Sequence, residues 1–267
     1  MMLQNCAGGS LEYLWQAYPF LNRSDTQAKP LTGISACLCG DPVRYDGRSK
    51  WQPQLVDALE KLLRLEKFCP EVAIGMGTPR PPIHLCNNSG SIQAVGVDDP
   101  QRNVTTPLKA FADEIITRQH TETTEQHLCG YLFKSRSPSC GVGSTPLYRQ
   151  GKEVSLANGI VAQRLKRHLS WLPVVDESAL ESDAAVSRFI FLNYLTSDFL
   201  SGNRNTLRLH EHHWLLHRGL PQQTQAELEA LAAQPQSFQP YLSTLVNALL
   251  IQPLAAFEKT FAAIAQA

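Results

Sequence analysis

The chain carries no excess of either charge, because 24 Lys and Arg are matched by 24 Asp and Glu. A strong, sequence-independent grip on nucleic acid is therefore not expected from the overall field, although a local basic patch stays open. No apolar run reaches the ~18 residues of a membrane span. The start, Met1-Met2-Leu3-Gln4-Asn5-Cys6, has neither the basic head nor the apolar middle of a secretion signal. No Cys-x2-Cys pair is present, so neither a zinc ribbon nor a thioredoxin-type motif is indicated. Internal repeats and long low-complexity tracts are also missing. The cysteines number seven, an odd count that suits reduced thiols, and the expected setting is cytoplasmic.

What is present is a 267-residue chain with 43% hydrophobic residues, enough for one large domain or two smaller ones. Residues 1–30 read as an N-terminal arm and linker ending near Lys29-Pro30. From 31 to 176, short apolar runs alternate with helical spacing. Strands are expected at about 32–38, near Val72-Ala73-Ile74-Gly75, over Ile92–Val97, at 128–133 and at Leu172–Val175. Leu55 to Phe68 has helical spacing, Thr106-Pro107 opens a helix, and Gly159 to Leu169 forms another. This alternation predicts an α/β fold, a mostly parallel sheet with helices on both faces. Residues 177–267 then read as a small all-helical C-terminal region, with helices over 184–200, 207–217, 223–234 and 240–266.

Three cysteines sit at strand ends or turns. Cys37 ends Gly33-Ile34-Ser35-Ala36-Cys37-Leu38, Cys69 begins Cys69-Pro70-Glu71-Val72, and Cys140 lies in Ser137-Pro138-Ser139-Cys140-Gly141. Thiols placed this way can converge on one point of a folded α/β domain. Convergent thiolates in a reducing compartment hold a metal or do chemistry, and three of them leave a position open for substrate. Backbone N–H groups and hydroxyls of the Cys140 turn suit a thiolate or cluster sulfur. The plain alternative, a small buried hydrophobe, is preferred for Cys6, Cys39, Cys86 and Cys129. The closest pair, Cys37-Leu38-Cys39, is separated by a single residue and so lacks the two-residue spacing of a zinc pair.

The stretch Ile34-Ser35-Ala36-Cys37-Leu38-Cys39-Gly40 with Pro42-Val43-Arg44-Tyr45-Asp46-Gly47 resembles the opening motif of the thiouracil desulfidase family. Cys69-Pro70-Glu71-Val72 with Ile74-Gly75-Met76-Gly77-Thr78-Pro79-Arg80-Pro81-Pro82 is similar to its second motif. Leu132-Phe133-Lys134-Ser135-Arg136-Ser137-Pro138-Ser139-Cys140-Gly141 is similar to its third. The resemblance covers roughly residues 31–176. It implies a [4Fe–4S] cluster bound by three cysteines, mapped onto Cys37, Cys69 and Cys140, and non-redox removal of sulfur from a thiolated pyrimidine. The chain departs from the family at Cys39, where Leu is usual, and over the irregular stretch 83–106.

Water must then attack the thiocarbonyl carbon, which needs a base and a proton path. Glu71 and Ser137 are the candidates, Glu71 as general base and Ser137 as the group that positions substrate or water. Their plain alternatives are a cap or an ion pair with Arg80 or Arg136 for Glu71, and turn chemistry for Ser137. Arg44, Asp46, Arg80, Lys134 and Arg136 form a charged rim that suits a phosphate-bearing nucleotide or an RNA strand, or else merely braces the loops.

Farther on, His210-Glu211-His212-His213-Trp214-Leu215-Leu216-His217 puts His210, His213 and His217 on one helical face. It is not a zincin motif, since Trp214 stands where the second histidine is required. A second metal site, an RNA-contacting face and a polar helix face with core histidines all fit. Leu209 to His217 also resembles the helical domain fused behind desulfidase domains, which implies 4-thiouridine in tRNA as substrate. Arg204, Arg208 and Arg218 favour tRNA, whereas the neutral net charge does not. The expected partners are therefore a thiolated pyrimidine base or nucleoside and tRNA, with no membrane and no DNA. The competing reading is a non-catalytic metal-binding protein whose helical region docks RNA or a protein partner.

Overall fold

Four short strands of one sheet run parallel, in the order β2-β1-β5-β8. They are β1 (Leu31–Ser35), β2 (Arg64–Phe68), β5 (Leu128–Phe133) and β8 (Val174–Asp176). In this computed structural model the described residues are 29–87, 90–121, 126–201, 206–234 and 238–264. The expected N-terminal arm falls outside them apart from Lys29 and Pro30, as do Cys6 and Arg204. A second, mixed sheet has the order β4-β3-β6-β7, from β3 (Ile83–Cys86), β4 (Gln93–Gly96), β6 (Thr145–Arg149) and β7 (Lys152–Ala157). The α/β architecture with helices on both faces is as expected, but it is divided between two sheets. The β6–β7 hairpin lacks the usual Asn-Gly signal. It turns on Gln150 and Gly151 alone, both at positive φ, 49° and 75°.

Each face of the parallel sheet is closed differently. On one face Phe68, Tyr131 and Phe133 stack in succession, and Phe111 of α3 (Thr105–Thr121) meets Phe68 edge-on. Gly33 lies directly beneath the Tyr131 ring, and a Cβ there would be 2.6 Å from it. α4 (Ile160–His168) packs beside α3, with Arg164 Nε 2.7 Å from Asp113 Oδ1. Residues one step along the strands point to the other face. There Thr32 donates to Asn193 Oδ1 at 2.7 Å, and Asn193 comes so close to Gly130 that a Cβ on that glycine would be 2.3 Å from Oδ1. Asn193 belongs to α5 (Asp183–Ser201), whose Tyr194 hydroxyl also donates to the Leu62 carbonyl. The parallel sheet thus has its second face covered by a helix that follows its last strand.

Three local expectations are corrected. Helical spacing from Leu55 gives only α1 (Pro53–Glu60). The chain then turns at Lys61–Leu62 and enters β2. Backbone pairing of Arg64–Phe68 with β1 overrides the helical propensity of Leu, Glu and Lys there. Val72–Ile74 is not a strand, because Pro70 opens a one-turn helix, α2 (Pro70–Ala73). The helix placed at Thr106 begins earlier: Asn103 accepts from the Thr105 N–H, and Val104 accepts from Leu108.

The C-terminal helices are α5, α6 (Thr206–His212), α7 (Trp214–His217), α8 (Gln222–Ala232), α9 (Phe238–Ile251) and α10 (Leu254–Ile264). The helix expected over 240–266 is broken by Pro253, which has no N–H to donate. α9 and α10 bend by 115° there, and Arg188 donates to the Gln252 carbonyl freed by the break. No single described helix is long and apolar enough to cross a membrane.

The histidine run is likewise interrupted, at His213. His210 Nδ1 and His217 Nε2 lie 3.2 and 3.0 Å from the buried Tyr241 hydroxyl. His213 is fully buried, stacks on Phe199, and has Nε2 3.4 Å from Asp198 Oδ2. His213 and His217 are core histidines and His210 is half-buried, and among the described residues no group of three His, Cys, Asp or Glu side chains is placed to hold a metal ion.

Two outcomes are expected from this packing. Asn193→Ala removes an acceptor from buried Thr32 and should destabilise the protein by about 1–3 kcal/mol, with a smaller added cost when Thr32→Val is combined with it. Urea midpoints of the two singles and the double check this, and strict additivity would count against the pair. Burial, then the neighbouring His210 and His213 cations, push the His217 imidazole down to about 3. The folded form therefore holds His217 neutral, and its contribution is complete above the usual His value. That contribution should decline as pH falls from about 6.5 toward 3. His217→Gln should flatten this acid limb, and an unchanged limb in urea titrations at stepped pH would refute the assignment.

Candidate active site

In the parallel sheet, the chain passes from β1 to β2 on one side and later returns to β5 and β8 on the other. The connections diverge at the carboxyl ends of β1 and β5, which is where open α/β sheets form a crevice. The segments that leave these strand ends carry the conspicuous sequence motifs. A 3-10 turn, Ala36–Cys39, follows β1 directly; Cys69 follows β2; Lys134 to Gly141 follows β5; and Glu177 follows β8.

These segments and one edge of the second sheet line a cavity of about 740 Å³. Cys37, Cys69 and Cys140 all line it, so the structure brings the three motif thiols to one place. They are not gathered around a single-ion point. Cys39 turns away from the cavity. Two residues along a three-residue turn are directed elsewhere, and its neighbours are Lys67 and Asp41. All six described cysteines are free thiols.

Burial pushes the Cys37 thiol up to about 11, and the neighbouring Cys69 adds to the rise, whereas Lys134 and Arg44 oppose it. Cys69 is also raised by burial, while N–H groups of Val72 and Glu71 in the first turn of α2 favour its thiolate. Cys140 is buried and raised well above the usual thiol value. Burial acts first, then the charges of Glu71, Cys37 and Cys69, with the Ser137 hydroxyl acting in the opposite sense. The thiols therefore repel one another as anions, an arrangement that gains from a bound cationic centre.

The Cys140 loop is held by backbone bonding. The Ser137 carbonyl accepts from Cys140 N, Gly141 N and Thr145 Oγ1. At the start of α4, Ile160 and Val161 donate their otherwise unpaired N–H groups to the carbonyls of Pro138 and Ser139. Gly159 fits because a Cβ there would sit 2.5 Å from the Ser139 carbonyl carbon. The Ser137 hydroxyl accepts weakly from Ser139 N and Cys140 N, both at 3.3 Å, and so takes part in the turn as well as lining the cavity.

Glu71 and Arg80 form the centre of the polar network. Glu71 Oε2 accepts from Arg80 Nε at 2.8 Å, and Oε1 accepts from Ser139 Oγ at 2.9 Å. The Arg80 side chain is only 3% exposed, and its Nη1 donates to the Val43 and Gly77 carbonyls, both at 2.8 Å. Lys134 pairs with Glu177, whose carboxylate also accepts from Ser135 N and Ser135 Oγ. Arg44 and Arg136 line the cavity as well. Asp46 does not; it lies 3.6 Å from Arg44 Nε and accepts from Arg48 N. Arg80 and Lys134 thus brace loops, leaving Arg44 and Arg136 as the rim charges.

His84 and Tyr148 also line the cavity and were not singled out in the sequence, nor was Glu177. Alternation in β3 offered a hint, since Ile83 and Leu85 are core residues with His84 between them. Arg80→Ala leaves a largely buried Glu71 carboxylate without its cation and frees two carbonyls. It should cost about 3–5 kcal/mol, and Arg80→Lys should restore only part of that. Chemical denaturation of both variants tests this, and a neutral Arg80→Ala would show the ion pair to be dispensable.

Residues 32–177, more than half of the chain, match the family model described as 2-thiouracil desulfurase. The uncharacterized protein YbbK of Bacillus subtilis (strain 168) is 27% identical over 148 residues, which span 50% of this chain and 88% of YbbK. A solved structure of a [4Fe-4S]-dependent thiouracil desulfidase, TudS, is 34% identical, covers 58% of this chain and 93% of its own, and superposes with a TM-score of 0.45. The matched span runs from β1 to the residue after β8 and includes all three cavity thiols, so the chain belongs to the 2-thiouracil desulfurase family.

Proposed function

We propose that this protein hydrolyses the thiocarbonyl of a thiolated pyrimidine, exchanging C=S and water for C=O and hydrogen sulfide with no net redox change. The observation that carries this reading is the meeting of Cys37, Cys69 and Cys140 on one cavity at the carboxyl ends of parallel strands. The donor set, three mutually repelling thiols with N–H and hydroxyl groups at two of them, fits a [4Fe–4S] cluster held through three thiolates. When bound, such a cluster supplies an iron without a protein ligand, a soft Lewis acid that prefers sulfur to oxygen.

The chain's own residues supply the remainder. Glu71 lies in the cavity wall between Arg80 and Ser139, and takes a proton from the attacking water. Arg80 keeps that carboxylate in a fixed orientation. Ser137, beside Cys140, orients water or substrate through its hydroxyl. Arg44 and Arg136 face the part of the substrate beyond the ring. The same residues serve a free base, a nucleoside or 4-thiouridine in tRNA. The tRNA version rests on the resemblance at 209–217, with 177–267 as a helical region behind the desulfidase part. A reducing, cytoplasmic setting suits free thiols.

Purified anaerobically, the protein should hold about four irons and matching labile sulfide per chain. It should then bleach the near-ultraviolet band of 4-thiouracil or 2-thiouracil with stoichiometric sulfide release. Zinc in place of iron, with no turnover, would overturn the reading. Glu71→Gln and Ser137→Ala should keep the iron and lose about 100-fold or more in kcat, as expected when proton transfer or its positioning is lost. Full activity in either variant removes that residue from the mechanism.

A further inference from the structure

The chemistry-bearing residues of the cavity come from segments that follow the parallel strands, whereas His84 and Tyr148 come from the second sheet. β3 and β6 are adjacent and parallel, with Leu85 opposite Leu147 and Cys86 opposite Tyr148. His84 and Tyr148 are therefore diagonal neighbours on one face of this sheet, within reach for two rings. They stack with centroids 5.3 Å apart and planes inclined by 26°. Leu85 and Leu147 occupy the opposite face and are buried in the core. A register shift between Leu147 and Tyr148, in the pairing of β6 with β7, lies at the residue that presents the tyrosine.

The bonding of these residues differs from that of the rest of the wall. Glu71, Arg80, Lys134 and Ser137 are each engaged by neighbours. His84 has the face of its ring fixed by Tyr148, yet its two ring nitrogens have no hydrogen-bond partner among the described residues. A neutral imidazole offers one donor and one acceptor. A pyrimidine whose thiocarbonyl points toward the thiols still presents a carbonyl acceptor and ring N–H donors along its remaining edge.

We propose that His84 is a substrate-contacting residue that hydrogen-bonds this polar edge of the thiolated pyrimidine, and that Tyr148 is the positioning residue that holds the imidazole by stacking. This rests on the desulfidase reading. The wall that carries the three thiols would thus face the sulfur, and the second sheet the opposite edge of the ring. The contact is made to ground state and transition state alike, so its loss appears in KM rather than in kcat.

The test uses full-length protein prepared anaerobically, with iron content, kcat and KM for 4-thiouracil measured on wild type, His84→Ala, His84→Gln, Tyr148→Leu and Tyr148→Phe. His84→Ala should keep its iron and nearly all of its kcat while KM rises about tenfold, the scale of one lost hydrogen bond plus a ring contact. His84→Gln, which can still donate and accept, should recover part of the loss. Tyr148→Leu should raise KM without further effect when combined with His84→Ala, and Tyr148→Phe, which keeps an aromatic ring over His84, should raise KM less than Tyr148→Leu does. An unchanged KM in His84→Ala, or a fall in kcat without a change in KM, would overturn the proposal while leaving the desulfidase reading intact. A wild type that holds iron yet desulfurates neither thiouracil would instead bring down that reading and this proposal with it.

Discussion

One buried ion pair joins the three loops that bring the thiols together. Arg80 reaches the Val43 carbonyl in the loop after Cys37, the Gly77 carbonyl in its own loop, and Glu71 two residues past Cys69. Through its other oxygen, Glu71 reaches Ser139 beside Cys140. A guanidinium can do this because its donors are splayed in a fixed fork, whereas an ammonium offers no such planar reach. Taking both charges out of water is costly in isolation, and the cost is offset by partners at Arg80 Nε and Nη1 and at both Glu71 oxygens. Cavity shape, thiol spacing and the orientation of Glu71 all depend on it.

The site was legible in the sequence where its residues sit in turns. Pro, Ser, Gly and Cys in Ser137–Gly141, and Cys69 before Pro70, carry local backbone signals that survive without tertiary information. The parallel core was legible as well, since buried strands such as Leu128–Phe133 are short apolar runs. What could not be read were features decided by non-local pairing. Arg64–Phe68 has the composition of a helix and becomes a strand because β1 is its neighbour. Likewise, β6 and β7 join through a two-residue turn of Gln and Gly, and the stack of His84 on Tyr148 exists only once β3 and β6 have paired. Charge alone did not separate bracing residues from rim residues. Arg80 and Lys134 are held by the carboxylates of Glu71 and Glu177 at hydrogen-bond distance, whereas Arg44 has the Asp46 carboxylate only at 3.6 Å, and Arg44 and Arg136 both line the cavity.

The histidine run shows the same limit from the other side. Spacing put three imidazoles on one face, but the helix breaks at His213. His210 and His217 turn to one tyrosine hydroxyl, and His213 stacks under Phe199. The neutrality of His217 is a property of the packed helices around it, and three like groups in a row therefore need not mark a metal site.

The position of α5 in the chain has a consequence for how the protein is made. The face of β1 and β5 that holds Thr32 and Gly130 is sealed by a helix synthesised after every strand of its sheet. During translation that face stays uncovered until Ser201 has cleared the ribosome, even though β1 emerged some 170 residues earlier. The nascent parallel sheet therefore passes through an interval with one apolar side open to chaperones, and the last helix to dock on it decides when that interval ends.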